Sequence, residues 1–280
     1  MAAAAFPNMA ERRRIAEALL PTVKAAADRV LDIRRSHFTV RRKDDASPVT
    51  EADLASQHML LEALGRICPG LPVIGEEDGC LPATIPTGAA FALLDPLDGT
   101  REFCAGRDEF TINVAIVAEG FPVLGIVHAP VTGTSYLALG PGAAFVEQAG
   151  RRAALPLRLP ASTRLIVAES RSHMDDLTLA AHRALGPHRR VPLGSALKFA
   201  LIASGDVDLY VRLGATRSWD TAAGQALVEA TGGMVVTPGG ARLACSPANG
   251  LRNEAFVAAR TPELAKRALA ALHGLQAARS

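Results

Sequence analysis

Apolar residues return at helical spacing from Ala10 to Arg34, with Ile15, Leu19, Val23 and Val30 near one face. That spacing predicts an amphipathic helix, with Pro21 as a candidate kink. The basic, polar run Arg41–Pro48 breaks the pattern and reads as a surface loop. A second helical stretch, Thr50 to Ile67, carries apolar Leu54, Leu61 and Leu64 and is closed by Pro69-Gly70. The texture then changes to short β-like runs at Pro72–Ile74, Ala90–Leu94, Phe110–Ala118, Pro122–His128 and Ser135–Leu139, punctuated by Gly and Pro. Short connections between neighbours predict mainly antiparallel pairing. From Leu165 strands and helices alternate: strand Leu165–Ala168, helices near Met174–Leu185 and Ser195–Ala203, strand Val207–Val211, helix Asp220–Ala230 and strand Met234–Val236. Thr261-Pro262 then opens a last helix with a favourable N-cap and first-turn proline.

No internal repeat or low-complexity linker interrupts the 280 residues. The expected fold is a layered α/β sandwich in which two halves, 1–158 and 159–280, pack as one unit. A net charge of +2 is too balanced for a nucleic-acid or membrane-surface protein, so any anion binding must come from local placement of charge. Cys68, Cys80, Cys104 and Cys245 form no C-x-x-C pair and lack His at zinc spacing. Cys104 reads as a small core filler. No apolar run approaches membrane-spanning length, and charged residues from Glu11 to Arg14 follow the first residues at once. A cytoplasmic location is expected, with a peripheral seat at the inner membrane and a homodimer left open.

Three separated segments carry candidate chemistry: Gly75-Glu76-Glu77-Asp78 after an apolar pair, Asp95-Pro96-Leu97-Asp98-Gly99-Thr100 at a strand end, and Trp219-Asp220-Thr221-Ala222-Ala223-Gly224 at a helix start. Asp95 and Asp98 are spaced so that their carboxylates can converge, with the Leu97 carbonyl between them as a further oxygen donor. Gly99 and Thr100 open a short helix whose backbone N–H groups suit a phosphate oxygen. Carboxylates without His or Cys suit a hard cation such as Mg²⁺. Two such ions, about 4 Å apart, would activate a water and neutralise leaving-group charge. Each segment also has a plainer reading. Asp95 and Asp98 can belong to a turn, Asp220 can cap its helix, Glu76 and Glu77 can be solvated, and Asp53 can complete a capping box with Thr50.

Together the three segments resemble the G-E-E, D-P-[LI]-D-G-T and W-D-x-A-A-G patterns of the inositol monophosphatase superfamily, in order and over nearly the whole chain. Within it the sequence is most similar to bacterial 3'(2'),5'-bisphosphate nucleotidases of the CysQ type. The likeness rests on Ser47–Asp53, Asp95–Phe103, Glu109–Asn113, Ser170–His173, Gly194–Phe199 and Tyr210–Asp220. The resemblance implies an αβαβα sandwich and removal of the 3'-phosphate from adenosine 3',5'-bisphosphate, with two or three Mg²⁺ ions and sensitivity to lithium. It also implies that Glu76, Asp95 and the Leu97 carbonyl bind one metal, and that Asp95, Asp98 and Asp220 bind another. Asp53, Glu76 and Thr100 would order the attacking water, and the Gly99 and Thr100 amides would hold the phosphate.

Two positions depart from the pattern: Arg101 stands where Lys is frequent, and His128 where an aromatic is common. Both bear on substrate preference more than on catalysis. A second phosphate on the substrate calls for cations beyond the metals, for which Lys198, Arg212 and Arg217 are the candidates, although the latter two can equally be solvated; Arg101 and Ser195 complete the substrate-side set. Trp219, the only tryptophan, is expected to pack beside the helix of Asp220. The competing enzymatic reading is an inositol-phosphate or sugar-phosphate monoesterase. A binding partner in transcription complexes is the alternative from another class, and the complete carboxylate set argues against it.

Overall fold

The computed structural model describes residues 7–43, 47–78, 85, 88–156, 164–172 and 174–277. The expected boundary at 158/159 and His173 lie outside the described residues. In chain order the N-terminal elements are α1 (Met9–Arg35), β1 (Val40–Arg42), β2 (Pro48–Thr50), α2 (Glu51–Ile67), β3 (Val73–Gly75), β4 (Phe91–Asp98), α3 (Thr100–Cys104), β5 (Thr111–Ala118), β6 (Phe121–Ala129), β7 (Thr134–Ala138), β8 (Ala144–Gln148) and β9 (Arg151–Ala154). The second half contributes β10 (Leu165–Ser170), α4 (Asp176–Ala184), β11 (His188–Leu193), α5 (Leu197–Ser204), β12 (Leu209–Arg212), β13 (Thr216–Arg217), α6 (Ser218–Ala230), β14 (Met234–Val236), β15 (Arg252–Asn253), β16 (Phe256–Ala259) and α7 (Pro262–Ala277).

Strand periodicity dictates the layering. In β4, Ala92 and Leu94 face one way and Phe91 and Leu93 the other, and β5 alternates in the same manner. The first set packs against α1 and α2 through Leu19, Val23, Val30, Leu60 and Leu64. The second set packs against α5 and α6 through Phe199, Ala222, Ala223 and Leu227. Those two helices are covered in turn by a sheet of order β11-β10-β12-β16-β14, whose outer face carries α4 and α7. The result is the five-layer αβαβα sandwich. The large sheet, β3-β4-β5-β6-β7-β8-β9, is antiparallel except for the parallel pair β3–β4. Because its central strands are buried on both faces, they read as continuous apolar runs.

Several expectations change in detail. The Arg41–Pro48 run is not simply a loop: its ends pair as the hairpin β1–β2. Helix α1 runs unbroken through Pro21. In α2, Leu54 is 50% exposed, and the inward face is Ala52, Asp53, Ser56, Gln57, Leu60, Ala63 and Leu64. That face is polar at its start because it points at the carboxylate cluster. Cys104 is exposed rather than a core filler, since α3 turns Glu102 and Phe103 inward instead. The strands β8, β9, β11, β13, β15 and β16 went unrecognised. The first three lack the apolar alternation that marks a strand, and β15 has two residues. Among the described residues no helix is long and apolar enough to cross a membrane.

Candidate active site

The strand that carries Asp95 does not end there. β4 continues to Asp98, with a register shift against β5 between the two aspartates. This irregularity re-aims the chain, as bulges beside functional sites do. The Leu97 N–H donates to Asp95 Oδ1 at 3.1 Å, and Ser56 Oγ donates to the Pro96 carbonyl at 2.8 Å, so α2 pins the loop from below. Gly99 follows at φ 96°, a left-handed conformation, and a Cβ there would lie 3.0 Å from the Glu109 carbonyl oxygen. Local backbone bonding at Asp95 and Gly99 does not exclude a functional role for this segment.

The same holds for Asp53. It sits at N3 of α2, where its Oδ2 accepts from the Thr50 N–H at 2.8 Å and the Thr50 hydroxyl at 2.7 Å. Its other oxygen accepts from Thr100 Oγ1 at 3.0 Å, and Thr100 Oγ1 also lies 3.1 Å from the Leu97 carbonyl. Asp220 is the N3 residue of α6 rather than its N-cap. Its Oδ2 accepts from the Arg217 N–H at 3.1 Å and from the Thr216 hydroxyl.

One carboxylate oxygen from each of Glu76, Asp95 and Asp220 falls within 4.8 Å of the others. Asp98 adjoins the group, with its Oδ2 accepting from Asn113 Nδ2 at 3.1 Å. The electrostatics record the crowding. Burial, then Asp220, raises Glu76 to about 8, and the same two causes in the same order raise Asp98 to about 7. Burial, followed by Glu76, Asp98 and Asp220, holds Asp95 well above the ordinary carboxylate range. Carboxylates gathered so closely, with only oxygen donors, fit a hard divalent cation that would offset their repulsion.

These shifts set a pH dependence. A buried carboxyl with a raised pKa keeps a proton that the unfolded chain has already released. Its contribution to stability is full below the unfolded values, 4.5 for Glu76 and 3.8 for Asp98, and is lost as pH rises through about 7 to 8. Melting temperature in excess chelator is therefore expected to fall from pH 6 to above pH 8. Added divalent ion should restore more at the higher pH, and a stabilisation independent of pH would contradict this.

The cluster lies in a cleft of about 830 Å³ whose lining includes Arg101, Ser195, Lys198, Arg212, Arg217 and Trp219. All the substrate-side candidates therefore reach the cleft, but not in equal standing. Lys198 is 4% exposed, and its ammonium donates to the Ser195 carbonyl at 2.6 Å and the Leu193 carbonyl at 3.3 Å. Burial lowers its pKa to about 8 against the opposing pull of Asp98. Lys198 thus acts as a buried counter-charge beneath the site more than as an open arm. Ser195 supplies that carbonyl from a left-handed backbone conformation, φ 48°. Arg212 is half-buried and donates to the Gly214 and Ala215 carbonyls. Arg101 and Arg217 are exposed, and the Arg217 guanidinium lies 5.6 Å from the centre of the Trp219 ring. Trp219, expected only to pack, is also cleft wall. His128 is not part of the lining. It is buried against Ser135 Oγ at 2.8 Å, and burial lowers its pKa to about 4.

Sequence reasoning missed Lys43, whose ammonium bonds both Glu76 Oε1 and Glu77 Oε1 at 2.7 Å. Burial opposes its charge, yet the two glutamates raise its pKa. No signal distinguished it from Arg41 and Arg42 beside it. Asn113 fell within a recognised stretch but had no role until its contact with Asp98 was visible.

Comparison with known proteins places this geometry. The profile of the inositol monophosphatase family matches residues 11–277. The chain is 42% identical over 215 residues to 3'(2'),5'-bisphosphate nucleotidase CysQ of Salmonella typhimurium, covering 77% of this chain and 86% of that protein. It is 40% identical over 214 residues to the CysQ of Escherichia coli strain K12, covering 76% and 86%. Among solved structures, CysQ from Bacteroides thetaiotaomicron superposes with a TM-score of 0.76 at 28% identity, over 88% of this chain and 97% of that one. The inositol monophosphatase of Thermotoga maritima shares the fold with a TM-score of 0.74 at 24% identity, over 93% and 97%. Five-layer fold, converging carboxylates and end-to-end sequence match agree, and the chain belongs to the inositol monophosphatase family.

Proposed function

We propose that this protein is a phosphoric monoester hydrolase that removes the 3'-phosphate of adenosine 3',5'-bisphosphate, leaving AMP and phosphate. The observation that carries the reading is the meeting of Glu76, Asp95 and Asp220 in a cleft whose wall carries arginines. The acidic floor suits cations, and the arginines suit a substrate with a second phosphate. The CysQ relatives, at 40–42% identity, support the nucleotide over an inositol phosphate.

Residue roles follow as parts of the same proposal. Glu76, Asp95, the Leu97 carbonyl, Asp98 and Asp220 would hold two or three Mg²⁺ ions, with the 1–158 half supplying all but Asp220. When bound, such ions lower the pKa of a coordinated water and offset charge on the phosphate and leaving oxygens. Thr100 and Asp53 position the attacking water. The single Thr100 proton is shared between Asp53 Oδ1 and the Leu97 carbonyl, so its lone pairs are left to accept from water. Burial raises the pKa of Asp53 against the bonds from Thr50 and Thr100, so this carboxylate is made a better proton acceptor. Glu76 aids from the other side of the cluster. The Gly99 and Thr100 amides hold the scissile phosphate, while Arg101, Arg212 and Arg217 meet the remaining anionic group. Lys198 and Ser195 support the Asp98 side from beneath. The reading places the enzyme in the cytoplasm and does not extend to a homodimer or a seat at the inner membrane.

Steady-state phosphate release from adenosine 3',5'-bisphosphate and inositol 1-phosphate, with Mg²⁺ and with chelator, tests it. Metal-dependent turnover that favours the bisphosphate is the expected result. A preference for inositol 1-phosphate would retain the cluster and replace the substrate.

A further inference from the structure

A second group of ligand-type side chains stands outside the cleft. Glu169 lies near the end of β10, His182 in α4 and His188 at the start of β11, and none of them lines the catalytic cleft. One candidate ligand atom from each falls within 4.8 Å of the others. The rings of His182 and His188 meet edge to face, with centroids 5.8 Å apart.

Hydrogen bonds assign both tautomers. His188 Nδ1 is 2.7 Å from the Gly186 carbonyl oxygen, which can only accept, so the proton is on Nδ1. His182 Nδ1 is 2.9 Å from Glu169 Oε1, an oxygen that already accepts from the Arg190 guanidinium and so accepts here too. The proton is again on Nδ1. Each Nε2 is therefore a bare lone pair, and both Nε2 atoms are buried with no hydrogen-bond partner among the described residues. His182 is 2% exposed. Unpaired buried acceptors are costly, and two in one cluster call for something to bind them. An imidazole anchored through Nδ1 by a carboxylate or a backbone carbonyl, with Nε2 free, is the arrangement seen in metal-bound histidines.

We propose that Glu169, His182 and His188 form a site for one divalent cation of the zinc class, each side chain supplying one ligand atom and Glu169 also supplying negative charge. Water completes the coordination. Imidazole nitrogen favours zinc, cobalt and nickel over magnesium, so the two sites sort ions by donor chemistry: hard cations to the oxygen cluster, borderline cations to the histidines. Arg190, bonded to Glu169 from a side chain that is 53% exposed, competes with the cation for this charge.

The test is titration of the metal-stripped, full-length Asp220→Asn protein with Co²⁺ in excess Mg²⁺, following visible absorption and stoichiometry. One equivalent should bind with nitrogen-ligand absorption and be displaced by Zn²⁺. His188→Gln or His182→Gln should weaken it at least about tenfold, with folding checked by circular dichroism and, in the otherwise wild-type chain, by retained phosphatase turnover. Arg190→Ala, at a half-exposed position, should strengthen it. No bound equivalent, as when a buried water satisfies both nitrogens, would overturn the site. So would equal binding in the glutamine variants, or binding unchanged by Arg190→Ala.

Discussion

Asp95→Asn is expected to lower kcat by more than about a hundredfold, beyond the loss typical of residues that merely support metal ligands. Asp95 is 1% exposed at the bulge of β4 and lies beside Glu76, Asp98 and Asp220. Asparagine keeps the size of the side chain and the oxygen that accepts from Leu97 N–H, so the loop should hold its shape. What disappears is the charge in the middle of the cluster. Because burial and like charges disfavour that carboxylate in the absence of metal, the variant should melt no lower than the parent protein in chelator. Phosphate-release kinetics at saturating Mg²⁺, paired with thermal melts, check both halves. A loss below about tenfold would remove Asp95 from the ligand set.

The second large effect concerns how the halves of the sandwich meet. Gly125→Val is expected to destabilise the protein by about 3 kcal/mol, the upper part of the usual range for overpacking. A Cβ at Gly125 in β6 would lie 2.4 Å from the Ala223 carbonyl oxygen and 2.9 Å from Ala226 Cβ. Both belong to α6, and the nearer one is backbone, so the helix itself must shift. Since α6 carries Asp220, turnover should fall with stability: small displacements of a reacting group are costly. The midpoint of guanidinium unfolding at unchanged slope measures the first effect. Gly65→Ala is the contrast. In α2 an added Cβ at Gly65 meets nothing within 4 Å among the described residues, so that change should stabilise by about 0.5–1 kcal/mol. Destabilisation by Gly65→Ala equal to that of Gly125→Val would show that close contact with α6 is not the cause.

The two predictions turn on different kinds of information. The carboxylate segments were legible because each couples a sharp backbone signal to its acids: Pro96 and Gly99 around Asp98, and the helix start at Asp220. The local reading of an acid does not exclude the functional one. Asp53 completes the capping box of α2 with one oxygen and meets Thr100 with the other. Asp220 accepts the Arg217 amide at its own helix start while turning an oxygen toward Glu76 and Asp95. The substrate side was less legible. Lys198 was found as a cation, but nothing in its neighbours told that its ammonium would be spent on two main-chain carbonyls.

The sequence alone determined the helices α1 and α2, the central strands and the three acidic segments, because these depend on spacing within a few residues: apolar periodicity, turn chemistry and capping. The tertiary structure alone decided which charges meet. Lys43 reaches Glu76 and Glu77 only because β1 and β2 pair as a hairpin, and Asn113 orients Asp98 only through the register of β4 on β5. It also decided that polar Ser56 and Gln57 face inward from α2 while Leu54 faces solvent, and that His182 and His188 come together. Such pairings join residues distant in sequence. Their energies come from burial and low-dielectric contact, which exist only once the layers have closed.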